Sequence, residues 1–331
     1  MNYLVTGTAG FIGFHVAQTL LQRGHSVVGF DVVNDYYDTG IKGARLKLLE
    51  QEAASRSAEF TFIRASLADL QAVEQCFADH TFDRVIHLAA QAGVRYSLEN
   101  PGVYVTSNLV GHANILELAH RLNVRHMVYA SSSSVYGGNR KTPFSESDMT
   151  DDPVSFYGAT KKANELLANS YARLYGIPLT GLRFFTVYGP WGRPDMAYWI
   201  FSEKMNRREP IRIFNNGRMG RDFTFVSDAV SGILAALDKS AVLSGMAVPH
   251  RVYNIGNDHP EELMSLVQLV ESGFGYEAEK EFAEMQKGDV VHTWADISRA
   301  RSELDYHPGV SLDDGMNEFI TWFKASPFCR S

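Results

Sequence analysis

Apolar residues come in short runs separated by helix-period stretches. Tyr3-Leu4-Val5 is the first such run, and it leads through Thr6-Gly7-Thr8-Ala9-Gly10-Phe11-Ile12-Gly13 into a helix pattern from Phe11 to Arg23. Gly24 then stands where helices commonly stop. Ser26-Val27-Val28-Gly29-Phe30 is a second strand, ending at Asp31. The alternation continues with a helix near 43–55, a strand at 60–64, a helix near 70–78, a strand at 84–89 and a long helix near 103–122. A strand at 126–130, a helix at 157–175 and a strand near 179–185 follow. Continuous apolar strands alternating with helices predict an α/β fold with a doubly wound parallel sheet, its strands buried on both faces. Beyond residue 186 the alternation degrades, and Pro, Gly, Arg and aromatic residues crowd 188–221. Enough apolar residues remain there for a smaller lobe rather than a linker. Residues 252–255 read as a late strand returning to the main sheet.

Composition sharpens this picture in three ways. With 331 residues, 45% of them hydrophobic, the chain can bury a large core. The balance of 31 basic against 38 acidic residues gives −7, which argues against a dedicated nucleic-acid or anionic-membrane binder. Cys76 and Cys329 are the only two cysteines and form no CxxC, so a reducing cytoplasm is expected and no cysteine-built metal site. No signal-peptide pattern and no run of about 18 apolar residues is present, so no membrane association is expected.

Gly7-x-x-Gly10-x-x-Gly13 sits at the first strand-to-helix turn. Glycines there let the backbone approach a pyrophosphate, which the helix N-terminus attracts. Asp31 closes the next strand 18 residues after Gly13, where a carboxylate accepts from both adenosine ribose hydroxyls and repels a 2′-phosphate. The reading is a Rossmann-type NAD site over residues 1–186, completed by a segment near 252–257, with 187–331 mainly a substrate-binding lobe. A purely structural turn is the competing reading of the glycines, and it does not account for the acid.

Tyr157 and Lys161 lie four residues apart, on one face of the predicted helix. A free tyrosine, with a pKa near ~10, is a poor base at neutral pH. A neighbouring ammonium and a positive nicotinamide both favour the phenolate. Ser132, within the run Ser131-Ser132-Ser133-Ser134 at a strand end, can share the proton's path. The pair alone could be a surface helix feature; the serine run and the glycine triplet in one chain strengthen it.

These motifs resemble those of the extended short-chain dehydrogenases/reductases, and within them the UDP-glucuronate 4-epimerases. The resemblance covers nearly the whole chain. Besides the glycine motif, it is carried by Asn34-Asp35-Tyr36-Tyr37-Asp38, by the run from His87 to Ser97 (HLAAQAGVRYS), by Ala130–Gly137 and by Tyr157–Glu165. Leu182–Met196 (LRFFTVYGPWGRPDM) and Arg221-Asp222-Phe223-Thr224 complete it. It implies Tyr157 as base, Lys161 as the lysine that binds the nicotinamide ribose and lowers the tyrosine pKa, and Ser132 as their hydroxyl partner. It implies NAD contacts from Gly7, Gly10, Phe11, Ile12, Gly13, Asp31, Leu67, Leu88, Ala89 and Ala90, with Asn108 supporting the site. Ser133, Ser134, Thr186 and Arg193 match positions near the sugar C6 group, and Arg221 and Asp289 match positions that hold the nucleotide. A homodimer is implied, through apolar faces of the helices near 103–122 and 157–175.

Two stretches depart from the pattern. Ser66 stands where relatives place an aspartate on the adenine amino group, and it accepts more weakly than a carboxylate. Gly220 takes the place of a basic residue, while Arg218 and Arg221 remain. The histidines show no metal-ligand spacing. Asp148, Asp151 and Asp152 read as a solvated acidic loop, and Trp191 and Trp199 as either nucleobase stackers or core residues.

The expected activity is therefore NAD-dependent 4-epimerisation of UDP-glucuronate and UDP-galacturonate. Arg193 favours an acidic sugar over UDP-glucose or UDP-N-acetylglucosamine. Ser133 and Ser134 stand where a 4,6-dehydratase would carry an acidic pair and a decarboxylase a glutamate. A non-catalytic NAD sensor would not need both Tyr157 and Lys161.

Overall fold

The computed structural model describes residues 1–56, 58–239 and 243–329. Residues 330 and 331, the end of the expected lobe, lie outside the described residues. Six strands come first: β1 (Asn2–Thr6), β2 (Ser26–Asp31), β3 (Phe60–Arg64), β4 (Arg84–His87), β5 (His126–Ser132) and β6 (Leu179–Phe184). Then follow β7 (Thr186–Tyr188), β8 (Ile211–Phe214), β9 (Gly220–Phe225), β10 (His250–Ile255), β11 (Pro260–Glu262) and β12 (Lys280–Ala283).

The main sheet has seven strands in the order β10-β6-β5-β4-β1-β2-β3, every pair parallel. Alternation along each strand feeds two cores. Tyr3 and Val5 of β1 pack with Phe14, Leu20 and Leu21 of the helix Phe11–Gln22, while Leu4 packs on the other face with Ile115, Leu116 and Ala119 of the helix Gly111–Arg121. The chain order reverses between β1 and β4, and the crevice beyond the strand ends at that reversal is where such sheets bind ligands.

The remaining strands form two small sheets, β11-β9-β7 and the parallel pair β12-β8. The helices Ala197–Asn206 and Leu312–Ala325 join them through an aromatic cluster. Trp199 packs on Trp322 and Phe323 at 5.5 and 5.4 Å, and Trp191 on Trp322 and Phe14 at 5.2 and 5.7 Å. Trp199 is buried in this cluster and Trp191 half-buried against it, which favours the packing role for both. Among the described residues, no helix is long and apolar enough to cross a membrane.

Several predicted elements shift. The second helix starts at Thr39 rather than near 43, because the Asp38 carboxylate accepts from the Gly40 N–H at 2.7 Å and stabilises an earlier turn. β4 stops at His87, which frees Leu88 and Ala89 as a loop. The long helix near 103–122 is broken: short helices at Tyr96–Glu99 and Pro101–Tyr104 lead into a π-helical stretch, Val105–Val110, before Gly111–Arg121. Asp148 is not merely solvated; it pairs with Lys141 at 2.7 Å and accepts from the Ser145 N–H at 2.8 Å.

Candidate active site

The first turn is built for close approach. Gly7 has φ +78°, and a Cβ there would sit 2.8 Å from the Ala89 backbone nitrogen. A Cβ at Gly13 would collide with the Gly7 carbonyl. Gly10, the N-cap of the helix Phe11–Gln22, makes no side-chain cap bond, so the free N–H groups of that turn face the cavity. Asp31 ends β2 in the same cavity. Its carboxylate accepts from the backbone N–H groups of Val33 at 2.8 Å and Ala9 at 3.1 Å, which ties it to the glycine turn. Burial raises the Asp31 carboxyl above its ordinary value, against those hydrogen bonds and the Lys42 charge.

This cavity brings together Gly7, Gly10, Phe11, Ile12, Gly13, Asp31, Ser66, Leu67, Leu88, Ala89 and Ala90 with Ser132, Tyr157 and Lys161. Ser66 Oγ also accepts from the Ala68 N–H at 3.2 Å. Asn108 lies beneath the wall, not in it. Its side chain accepts from the Gln91 N–H at 2.8 Å and donates to the Gln91 carbonyl at 3.1 Å, which fixes the loop after β4. The Asn108 carbonyl accepts from the Asn164 amide at 2.7 Å. A glycine cradle, a bare helix N-terminus and a carboxylate at the end of β2 are the parts NAD needs, so the residues present fit it.

Tyr157 opens the helix Phe156–Tyr175, whose N-cap Ser155 accepts from the Gly158 N–H at 3.0 Å. One turn on, Lys161 is buried and donates to the Ala130 carbonyl at 3.0 Å, with Nζ 6.0 Å from the Tyr157 ring centre. Burial lowers the Lys161 ammonium to about 8. Burial raises the Tyr157 phenol, while a hydrogen bond with Ser132 and the Arg193 charge pull the other way. Ser132 Oγ also accepts from the Ser134 N–H and donates to Ser134 Oγ, both at 3.1 Å.

A second cavity meets the first at Ser132, Tyr157 and Arg193, which line both. Ser133, Ser134, Thr186, Arg221 and Asp289 line this second cavity. Asp289 pairs with Arg95 at 3.6 Å, and Arg221 donates to the Gly220 and Val291 carbonyls at 2.9 and 3.0 Å. Gly220 has a local reason: a Cβ there would lie 2.5 Å from His292 Nδ1. Sequence reasoning gave no role to Lys42, Tyr36 or Asn34 in the first cavity, nor to Arg95, Lys204 or Arg212 in the second. Tyr36, Asn34 and Arg95 lie in stretches that carried the resemblance, so motif membership was the available signal.

The profile of the NAD dependent epimerase/dehydratase family matches residues 3–256. A "Probable UDP-glucuronate 4-epimerase" of Rhizobium meliloti (strain 1021) is 45% identical over 335 residues, 98% of this chain and 97% of its own length. A crystal structure of UDP-glucuronic acid 4-epimerase from Bacillus cereus, in complex with UDP-glucuronic acid and NAD, aligns with a TM-score of 0.89 at 35% identity. It covers 98% of this chain and 99% of that one. A UDP-glucose 4-epimerase from Thermotoga maritima, with UDP-glucose, aligns at 0.86 and 31% identity over 98% and 99%. On sequence and fold together, the chain belongs to the NAD dependent epimerase/dehydratase family.

Proposed function

We propose that the chain is an NAD-dependent 4-epimerase that interconverts UDP-glucuronate and UDP-galacturonate. The observation that carries this reading is the junction of the two cavities at Tyr157, Ser132 and Arg193. A proton acceptor, its hydroxyl partner and a guanidinium stand there, where a cofactor ring and a sugar would meet. The likeness to UDP-glucuronate 4-epimerases supports the choice of sugar.

The C4–H bond of a hexuronate is not acidic, so inversion at C4 goes through a 4-ketone. NAD, held by the glycine turn and Asp31, would supply the reversible two-electron acceptor that removal and return of hydrogen at C4 requires. Tyr157 Oη takes the O4 proton on the outward half and gives it back on the return. Ser132 stands beside the phenol, where its hydroxyl turns from Ser134 Oγ to the phenol oxygen as the proton leaves, and Lys161 supplies positive charge one helical turn on. Asp31 and the glycine turn hold the cofactor. Arg221 and Asp289 hold the nucleotide while the sugar turns. Residues 1–186 with β10 mainly serve the cofactor, and the remainder mainly the substrate.

The 4-keto hexuronate is a β-keto acid and can lose carbon dioxide. Arg193, with Ser133, Ser134 and Thr186, holds the C6 carboxylate out of that geometry. A neutral-sugar reading draws on one observation: Asp195 already balances the Arg193 charge. NMR of purified protein with UDP-glucuronate decides between them. UDP-galacturonate should form, with NAD added if none is retained. Reaction of UDP-glucose or UDP-N-acetylglucosamine alone would favour the neutral sugar. Arg193→Ala should lower kcat/KM for UDP-glucuronate about tenfold or more and release carbon dioxide; unchanged kinetics with no decarboxylated product would remove Arg193 from this role.

The expected setting is cytoplasmic and the expected assembly a homodimer. Leu98, Val103, Val105, Val110, Leu166 and Leu174 are exposed on the segments 96–121 and 156–175, an apolar surface that supports pairing of two chains there.

A further inference from the structure

Tyr36 and Asp195 come from two separate stretches, the turn Asn34–Asp38 after β2 and the loop after β7. They meet across 159 residues of sequence, the Tyr36 hydroxyl donating to Asp195 Oδ2 at 3.1 Å. Asp195 in turn holds Arg193 by two parallel bonds, Nε to Oδ1 at 3.0 Å and Nη2 to Oδ2 at 2.5 Å. This is the two-pronged arrangement that fixes the plane of a guanidinium. It leaves Nη1 unused by the carboxylate. Burial opposes ionisation of Asp195, but Arg193 and the Tyr36 hydroxyl outweigh it and hold the carboxyl below its ordinary range. Burial and the Asp195 charge push the Tyr36 phenol up to about 12. At neutral pH Tyr36 is thus a donor and Asp195 an acceptor.

The loop is held from its other side by Arg45. This fully buried guanidinium donates through Nη2 to the carbonyls of Trp191 and Gly192, at 2.7 and 2.9 Å. Through Nη1 it donates to the Ala9 carbonyl and the Tyr37 hydroxyl, at 2.8 and 2.9 Å. Trp191 takes φ +59°, a conformation that needs such external support.

We propose that Tyr36 and Asp195 are positioning residues that set the aim of Arg193 and so make carboxylate recognition depend on the turn that follows Asp31. The proposal rests on the reading of the substrate as a UDP-hexuronate. An arginine free to change rotamer follows the carboxylate as the sugar turns. In the decarboxylation so permitted, the C5–C6 bond breaks, carbon dioxide leaves, its electron pair enters the C4–C5 enolate and a proton from water restores C5. A guanidinium clamped by Asp195 holds the carboxylate in one plane and withholds that alignment.

The test is calorimetric binding of UDP-glucuronate, UDP-glucose and UDP to the NAD-loaded protein, with carbon dioxide counted per epimerisation. Asp195→Asn should weaken UDP-glucuronate about tenfold relative to the other two ligands, and Tyr36→Phe about threefold. Both should raise the carbon dioxide count. Equal weakening of all three ligands, or no change, would overturn the positioning role. If Asp195→Asn does not fold, Tyr36→Phe, which removes a single hydroxyl, decides by the same criteria. Wild-type protein is measured first: failure to prefer UDP-glucuronate over UDP-glucose would overturn the hexuronate reading and this proposal with it.

Discussion

Asp31 shows how one buried group sets a measurable dependence. In the proposed reading the Asp31 carboxylate is the form that accepts from the ribose hydroxyls, and burial raises the pKa at which that form is lost. Protonation therefore begins at a higher pH than for a free aspartate, whose pKa is about 3.9. NAD affinity should be level near neutrality and fall as pH drops through the raised value. Asp31→Asn should bind NAD more weakly and without that slope. Calorimetry across the acid range checks this, and a wild-type profile as flat as the variant's would contradict it. Asp31 was legible in the sequence because it closes the apolar run of β2. The Asp195–Tyr36 contact was not legible, because its partners are distant in sequence and meet only when the lobe closes on the sheet.

At the scale of the element, the helix Phe156–Tyr175 carries Tyr157 and Lys161 and must be fixed in depth and rotation. Glu165, one turn beyond Lys161, makes a buried two-bond pair with Arg183 of β6, both distances 2.8 Å, and accepts from Ser131 Oγ at 2.6 Å. The pair joins this helix to β6, and the Ser131 bond joins it to the end of β5 that bears Ser132. Arg183→Met should cost about 3–5 kcal/mol in urea unfolding, since it leaves the Glu165 carboxylate buried and unpaired. A loss under ~1 kcal/mol would show that water or rearrangement serves Glu165 equally well. Helix 156–175 was legible because its apolar spacing is regular and Gly176 ends it. The break before Gly111 was not, because the π-helical stretch is supported by Asn164 and by the Asn108–Gln91 contacts, and such cross-fold bonds leave no periodic trace.

Across the whole molecule, the seven-stranded sheet was legible almost strand by strand, since parallel strands buried on both faces read as apolar runs. The second lobe was legible only as a change in texture. Its strands are short and pair over long separations, as β8 does with β12. Its order depends on buried polar staples such as Asp222, which accepts from the backbone N–H groups of Asn257, Ala295 and Asp258 at 2.6, 3.0 and 3.1 Å. Two cavities share Tyr157, Ser132 and Arg193, and in the proposed reading that junction is where C4 is inverted. The most direct test is the fate of the hydrogen on that carbon. UDP-glucuronate deuterated at C4 should give UDP-galacturonate with the deuterium retained at C4, and unlabelled substrate in heavy water should take up no deuterium at C4 or C5. Loss of the C4 label to solvent, or uptake at C5, would contradict inversion by hydride removal and return at this site.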